Sequence, residues 1–409
     1  MNNYGFTDML KTCPKEYSDA FLPPPITPFE YDPKKFIIGK NINGEHAVLN
    51  AKDAFRACII ARTGTGKTFL IRRGLDQAYR AKWKIAILPD AKNEYRSSMK
   101  PVQSKFRNKL PDGDFPRGLK MKIFRPLFFN KVDNGKIPKD NERVSLELKD
   151  LTTEEFQKLC NFDTLSDKQR VDFDSLIRLM SENDVNDVEQ IKAICTENNF
   201  TKLWQRLEFL ETCGLFDSRF RVNPVDVLNE GNVLVLNYEK FGQLDLRNNS
   251  MDQIFLAVWL RWITDAKKAG KLDDLLIIND ETARWVPNNG NPVCKKIILE
   301  SVDVDRAGGI SWWFGIQRTD SVPKSLLQQC KYKFLPYNVK RELFISTMQE
   351  EMIITDMVRN KKKAMRLYDK LQKKFRWLMI DGDGVKENKL VFMDVYPPTS
   401  AHMETKSAF

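Results

Sequence analysis

The stretch IIARTGTGKTFLIRR, from Ile59 to Arg73, narrows the folds open to this chain more than any other segment. It reads as the end of an apolar strand, a glycine-containing turn and a helix opening at Lys67, with Phe69, Leu70, Ile71 and Leu75 available for burial. That order is the context a phosphate-binding loop requires. Backbone amides from Gly64 to Thr68 can point inward around a triphosphate, helped by the positive end of the helix dipole. The candidate contacts are Thr63, Gly64, Thr65, Gly66, Lys67, Thr68 and Phe69. Lys67 supplies a point charge for the β and γ phosphates of ATP, and Thr68 a hydroxyl for Mg²⁺. Ala61 stands where the usual pattern begins with glycine. The bland alternative is a chance glycine turn between a strand and a helix.

The runs FRACIIA, WKIAILPD, LKMKIF, NVLVLNY, LLIIND, ISWWFGIQ and YKFLPY read as strands. Several are continuously apolar and many are separated by helices, which predicts an α/β fold with a largely parallel sheet covered on both faces. Residues 150–216 carry apolar residues at three- and four-residue spacing and read as a helical lobe inserted into the α/β body. The expected division is an extended proline-rich arm over 1–35, the first part of the core over 36–149, the insertion over 150–216, the second part over 217–340, and a basic helix with C-terminal strands over 341–409. The segment RWLMIDGDGVKENKLVFMDVYPP reads as two strands that add a hairpin or sheet edge.

Composition limits the chemistry. With only His46 and His402, a zinc site or a histidine-based triad has little to draw on. Seven scattered cysteines without a CxxC pair fit a reducing, cytoplasmic setting. The longest apolar run, IFLAVWLRWI from Ile254, is half a membrane span and carries Arg261, so it reads as a buried core helix, and no secretory signal opens the chain. Lys and Arg number 66 against 55 Asp and Glu, an excess of 11 that favours an anionic partner, nucleic acid before a membrane surface.

Two further motifs carry chemistry. In LLIINDETARWVP, residues 275–287, an apolar strand delivers Asn279, Asp280 and Glu281 to its carboxyl end, where open α/β sheets bind ligands. Asp280 is placed to hold the hydration shell of Mg²⁺, and Glu281 to orient and deprotonate the water that attacks the γ-phosphate. In DRAGGISWWFGIQRTDSVPKSLLQQC, residues 305–330, a strand ends at Gln317, placed to sense the γ-phosphate or the attacking water. Arg306 and Arg318 flank that strand. Either stabilises transition-state charge at a neighbouring subunit's nucleotide, or pairs with a surface carboxylate or DNA.

As an ordered set, ARTGTGKT, IAILPDAKNEY, NPVDVLNEGNVLVLNYEKF, INDETARWVP and GIQRTDSVPKSLLQQC resemble the motifs of the HerA/FtsK superfamily of DNA-translocating ATPases, and its HerA branch more than the rest, over about residues 36–400. Ala61 in place of glycine, Ile316 in place of threonine before the glutamine, and Thr282-Ala283 in place of Ala-His depart from the pattern, and the first 35 residues leave no room for the β-barrel that often precedes the core. The resemblance implies a RecA-like P-loop ATPase core in a ring of six identical subunits, ATP and Mg²⁺ at each interface, double-stranded DNA in the channel, and a nuclease or other effector as a further partner. A viral packaging ATPase, a conjugative coupling ATPase and a non-motor ring scaffold are the alternatives. Residues 96–125 hold nine Lys/Arg against Asp112 and Asp114, and residues 357–376 nine against Asp369, so either run can meet phosphates without reading sequence, or form a solvated face.

Overall fold

The computed structural model describes residues 31–243, 249–304, 309–350, 365–382 and 389–401. Twelve strands form one sheet: β1 (Lys35–Asn41), β2 (His46–Asn50), β3 (Arg56–Ile60), β4 (Lys84–Asp90), β5 (Met121–Pro126), β6 (Asn141–Val144), β7 (Val233–Asn237), β8 (Leu275–Asn279), β9 (Ile310–Ile316), β10 (Tyr332–Pro336), β11 (Arg376–Asp381) and β12 (Lys389–Val395). Their order is β2-β1-β12-β11-β10-β3-β9-β8-β4-β7-β5-β6. All pairs from β10 to β6 are parallel, and those from β2 to β10 antiparallel. Every residue of β3, β7, β8 and β9 is buried, as strands covered on both faces must be.

The seven strands read from apolar runs are all present. The hairpin β1–β2 and the short β6 carry too little apolar alternation to stand out. Of the two expectations for the C-terminal pair the hairpin holds: β11 and β12 pair antiparallel, and β12 lies between β11 and β1, leaving β2 outermost. The proline-rich arm falls outside the described residues except for its last five.

The principal helices are α1 (Lys67–Arg80), α2 (Thr153–Leu159), α3 (Asp167–Glu182), α4 (Val188–Glu197), α5 (Thr201–Leu207), α6 (Pro224–Asn229), α7 (Asn249–Lys268), α8 (Val293–Val304) and α9 (Lys324–Gln329). One apolar cluster joins α1 to one face of the sheet, and a second joins the other helices to the opposite face. Helices α2 to α5 lie between β6 and β7, in the segment expected as an insertion. Its first three open on capping boxes in which Thr152, Ser166 and Asp187 exchange hydrogen bonds with Glu155, Gln169 and Gln190. The insertion does not build a core of its own. Phe173, Leu176, Ile191 and Leu203 continue the apolar cluster of the sheet, and parallel bridges Ser145↔Arg221 and Leu146↔Phe216 close its neck. Arg261 on α7 ties it down by donating to Glu155 at 2.8 Å.

Helix α1 buries a polar face as well as an apolar one. Arg73 donates to the carbonyl of Ile37 at 2.7 Å and pairs with Asp114, while Arg72 donates to the carbonyl of Ala401 at 2.6 Å. Asp76 accepts from the Ser400 amide at 3.1 Å and its hydroxyl at 2.8 Å. The helix is thereby fastened to both the start and the end of the described core.

Among the described residues no helix is long and apolar enough to cross a membrane. The run from Ile254 to Leu260 is fully buried inside α7, as its sequence suggests. Asp252 in the first turn of that helix is buried, with one carboxylate oxygen lacking a partner among the described residues. Burial, only partly offset by the charge of Arg284, raises its pKa from 3.8 to about 7. The folded chain therefore holds this proton more tightly than the unfolded one, so the associated stability is complete below pH about 4 and is lost as pH rises through about 7. Asp252→Asn removes the titration. Its urea midpoint is expected to gain on the wild type between pH 6 and pH 9, and parallel midpoints across that range would count against the assignment.

Candidate nucleotide site

The parallel register brings the ends of four strands together. Ile60 on β3 pairs with Ile316 on β9, Asn279 on β8 with Phe314 on β9, and Ile87 on β4 with Ile278 on β8. The phosphate-loop candidates, the acidic pair, the Asp90-to-Tyr95 turn and Gln317 all leave the sheet along this one edge. Gly64 and Gly66 have φ of +80° and +93°, a left-handed backbone that glycine adopts without cost. Gly66 caps α1 with no side-chain hydrogen bond and no acid follows in the first turn, so the amides of Lys67, Thr68 and Phe69 keep their positive field for an anion. Thr63 and Gly64 are exposed, Thr68 and Phe69 half-buried. Thr65 is buried and donates from its hydroxyl to the carbonyl of Arg62 at 2.8 Å, which folds the loop on itself.

Lys67, Thr68, Asp280 and Glu281 are each held by a partner. The Lys67 ammonium donates to the carbonyl of Asp280 at 2.6 Å and pairs with its Oδ1 at 2.7 Å. Tyr95 donates to Asp280 Oδ2 at 3.3 Å. Burial and then the neighbouring carboxylates push the Tyr95 phenol well above its ordinary value, so it remains a donor. The Thr68 hydroxyl donates to Glu94 Oε2 at 2.6 Å. Glu281 Oε1 pairs with the Lys92 ammonium at 2.9 Å. Burial opposes the charge on Lys92, but the hydrogen bond and charge of Glu281 prevail and raise its pKa.

Lys92, Glu94 and Tyr95 were not among the site residues assigned from sequence. All three lie in one turn after β4, and Asp90 holds that turn: its Oδ1 accepts from the amides of Lys92 at 3.2 Å and Glu94 at 3.1 Å, and its Oδ2 from Tyr95 at 3.1 Å. Burial raises the Asp90 pKa to about 6 against the pull of those amides. The available signal was the Asp-x-x-x-Glu-Tyr spacing itself, which fits a carboxylate capping its own following turn.

Gln317 follows the last residue of β9 and is exposed beside the loop, where Ala61 donates its amide to the carbonyl of Ile316 at 2.8 Å. Arg318 is exposed and bound to Asp320, its Nε donating to Oδ1 at 3.0 Å, so within this chain its partner is a surface carboxylate. Arg306 lies outside the described residues. The first basic run is not uniform. Arg125 is buried in a bidentate pair with Asp133 at 3.0 and 2.8 Å and does not belong to a phosphate-facing surface. Arg96 pairs with Asp140 and Lys122 with Glu230, whereas Lys100, Lys105, Arg107, Lys109 and Lys120 are exposed. In the second run residues 357–364 are outside the described residues, and Arg376 pairs with Asp394 at 3.5 Å.

The donor set suits Mg²⁺. The Thr68 hydroxyl and the Asp280 carboxylate are hard oxygens at the loop. Among the described residues no three His, Cys, Asp or Glu side chains form a metal cage. An ion that retains waters and leans on substrate phosphates needs none.

No protein-family model matches the sequence, and no curated protein does. Among solved structures, VirB4 of Thermoanaerobacter pseudethanolicus aligns over 93% of this chain and 99% of its own at 13% identity and a TM-score of 0.54. The bacterial conjugative coupling protein TrwBdeltaN70 aligns over 85% of this chain and 88% of its own at 10% identity and 0.47. The genome packaging NTPase B204 of Sulfolobus turreted icosahedral virus 2, in complex with ATP-gammaS, aligns over 83% and 98% at 11% identity and 0.34. The VirB4 likeness establishes the fold as a RecA-like P-loop core, with parallel strands in the order β10-β3-β9-β8-β4.

Gly315 on β9 is a second constraint on the acidic motif. A Cβ there would collide with the carbonyl and Oδ1 of Asp280. Gly315→Ala is expected to cost about 1–3 kcal/mol of stability through this overlap. Denaturant titration checks it, and an unchanged midpoint would mean that the strand end yields without resistance.

Proposed function

We propose that this chain is an ATP-driven motor of the HerA type that moves double-stranded DNA through a ring of identical subunits, hexameric by resemblance. The observation that carries the reading is the convergence of Lys67, Thr68, Asp280, Glu281 and Gln317 on one edge of the parallel sheet, in front of an uncapped helix terminus. The triphosphate competes with Asp280 for the Lys67 ammonium and accepts the loop amides. Thr68 and, through bound water, Asp280 would hold Mg²⁺, which neutralises phosphate charge. Glu281 takes the proton of the attacking water, Lys92 holds its other flank, and Gln317 faces the terminal phosphate. The superfamily resemblance implies an arginine that reaches the next subunit's nucleotide, and Arg306 and Arg318, which flank β9, are the candidates for it. Exposed Lys100, Lys105, Arg107, Lys109 and Lys120 give the duplex a sequence-indifferent contact.

Phosphate release measured with and without linear duplex DNA tests this reading. Lys67→Ala is expected to lose nucleotide binding. Glu281→Gln is expected to keep it and to lower turnover by about 10²–10⁴. Turnover indifferent to DNA would favour a scaffold over a motor, and a Glu281→Gln protein as active as wild type would remove the base.

Assembly gives a second expectation. One of Arg306→Ala and Arg318→Ala should bind nucleotide and form rings yet lose turnover by about 10³–10⁵. Mixing it with Lys67→Ala subunits should restore part of the activity through mixed interfaces, and no recovery would place the arginine's role within its own subunit or outside catalysis. Duplex affinity should fall with salt at a log–log slope of about 0.9 per phosphate contact, which filter binding at several salt concentrations reads directly.

A further inference from the structure

The acceptor of the Thr68 proton is Glu94, at 2.6 Å, and not the carboxylate that ends β8. Asp280 is committed elsewhere, with Oδ1 on the Lys67 ammonium and Oδ2 on the Tyr95 phenol. A threonine hydroxyl has one proton and two lone pairs. Once its proton is fixed on a carboxylate, its lone pairs are turned the other way, and the electron density on its oxygen rises. Partners in this outer position orient a metal's direct ligand and strengthen it.

Glu94 is built into the fold for such a task. Its amide donates to Asp90 Oδ1 at 3.1 Å. Its carbonyl accepts from the buried Arg72 guanidinium and from the Ser97 hydroxyl at 3.2 Å. Arg72 belongs to α1, whose first turn carries Thr68, so donor and acceptor are held in one rigid unit. The contact joins residues 26 positions apart through two separately anchored backbones, which a casual surface pair does not require.

We propose that Glu94 is a positioning residue that fixes the Thr68 hydroxyl toward the divalent cation of the nucleotide. This rests on the nucleotide reading above. It assigns to the turn after β4 a part in cation affinity that the phosphate loop and the acidic pair do not account for.

The test is Mg²⁺-dependent binding of N-methylanthraniloyl-ATP, followed by fluorescence in EDTA and then along a Mg²⁺ series, with thermal melting as a folding control. Glu94→Ala is expected to leave affinity in EDTA unchanged and to raise the Mg²⁺ midpoint by about 10–100-fold. Glu94→Gln keeps an acceptor oxygen but loses the charge that roughly doubles such a bond, so its midpoint is expected to move the same way by less. It serves as the test protein should the alanine variant fail to fold. Midpoints equal to wild type in the folded variants overturn the inference while leaving the nucleotide reading intact. Equal losses in EDTA and in Mg²⁺ also overturn it, since they show a loop defect without cation specificity. A wild-type protein that binds no N-methylanthraniloyl-ATP overturns the nucleotide reading and this inference with it.

Discussion

An ammonium removed from water must be given an anion, and much of this fold is arranged around that requirement at Lys67. The side chain is nearly buried and its charge is met by both the carbonyl and the carboxylate of Asp280. Removing one member of such a pair strands the other at a cost of about 3–5 kcal/mol. The pair fixes the first turn of α1 against the end of β8, and Gly315 is bare so that Asp280 can lie close to β9. Tyr95 takes the remaining carboxylate oxygen and carries the turn after β4 into the same assembly. Three strand ends are thus locked to one helix by a charge that a polyphosphate can claim.

The same economy governs the rest of the edge. The Thr68 hydroxyl, the Glu281 carboxylate and the Lys67 ammonium each rest on an internal partner. A ligand that enters must replace these contacts, so its net affinity is the difference between two sets of good interactions. On the proposed nucleotide reading, an anion that matches only part of the set would bind less well.

The central strands and the acidic motif were legible in the sequence because their signals are local: unbroken apolar runs, glycines before a Lys-Thr pair, acids at a strand end. What escaped was set by distant partners. Arg72, Arg73 and Asp76 look like the solvent face of an amphipathic helix, yet their partners are Ala401, Ile37 and Ser400. Arg125 sits in a basic run and reads as a surface cation, but the buried carboxylate of Asp133 takes it inside. Lys92 and Glu94 were in plain view within the Asp-x-x-x-Glu-Tyr spacing. Only the register of β4 beside β8 shows that this turn reaches Glu281, Asp280 and Thr68. The hairpin β1–β2 offers only the brief apolar runs Phe36–Ile38 and Ala47–Leu49 between polar residues, and β12 holds it in place.

The tie between Asp76 and the Thr399–Ser400 segment has a consequence for how the protein is made. The two ends of that contact are 323 residues apart. At about 5–20 residues per second of synthesis, roughly 15–65 s separate their emergence. Throughout that interval the helix behind the phosphate loop carries a carboxylate whose lasting partners do not yet exist. Strands β11 and β12, which complete the sheet beside β10 and β1, arrive equally late. The loop that reads as the most local feature of the sequence is therefore finished by some of the last described residues to be translated, and a nascent chain stalled before them holds an open sheet edge and a carboxylate without its Thr399 and Ser400 donors.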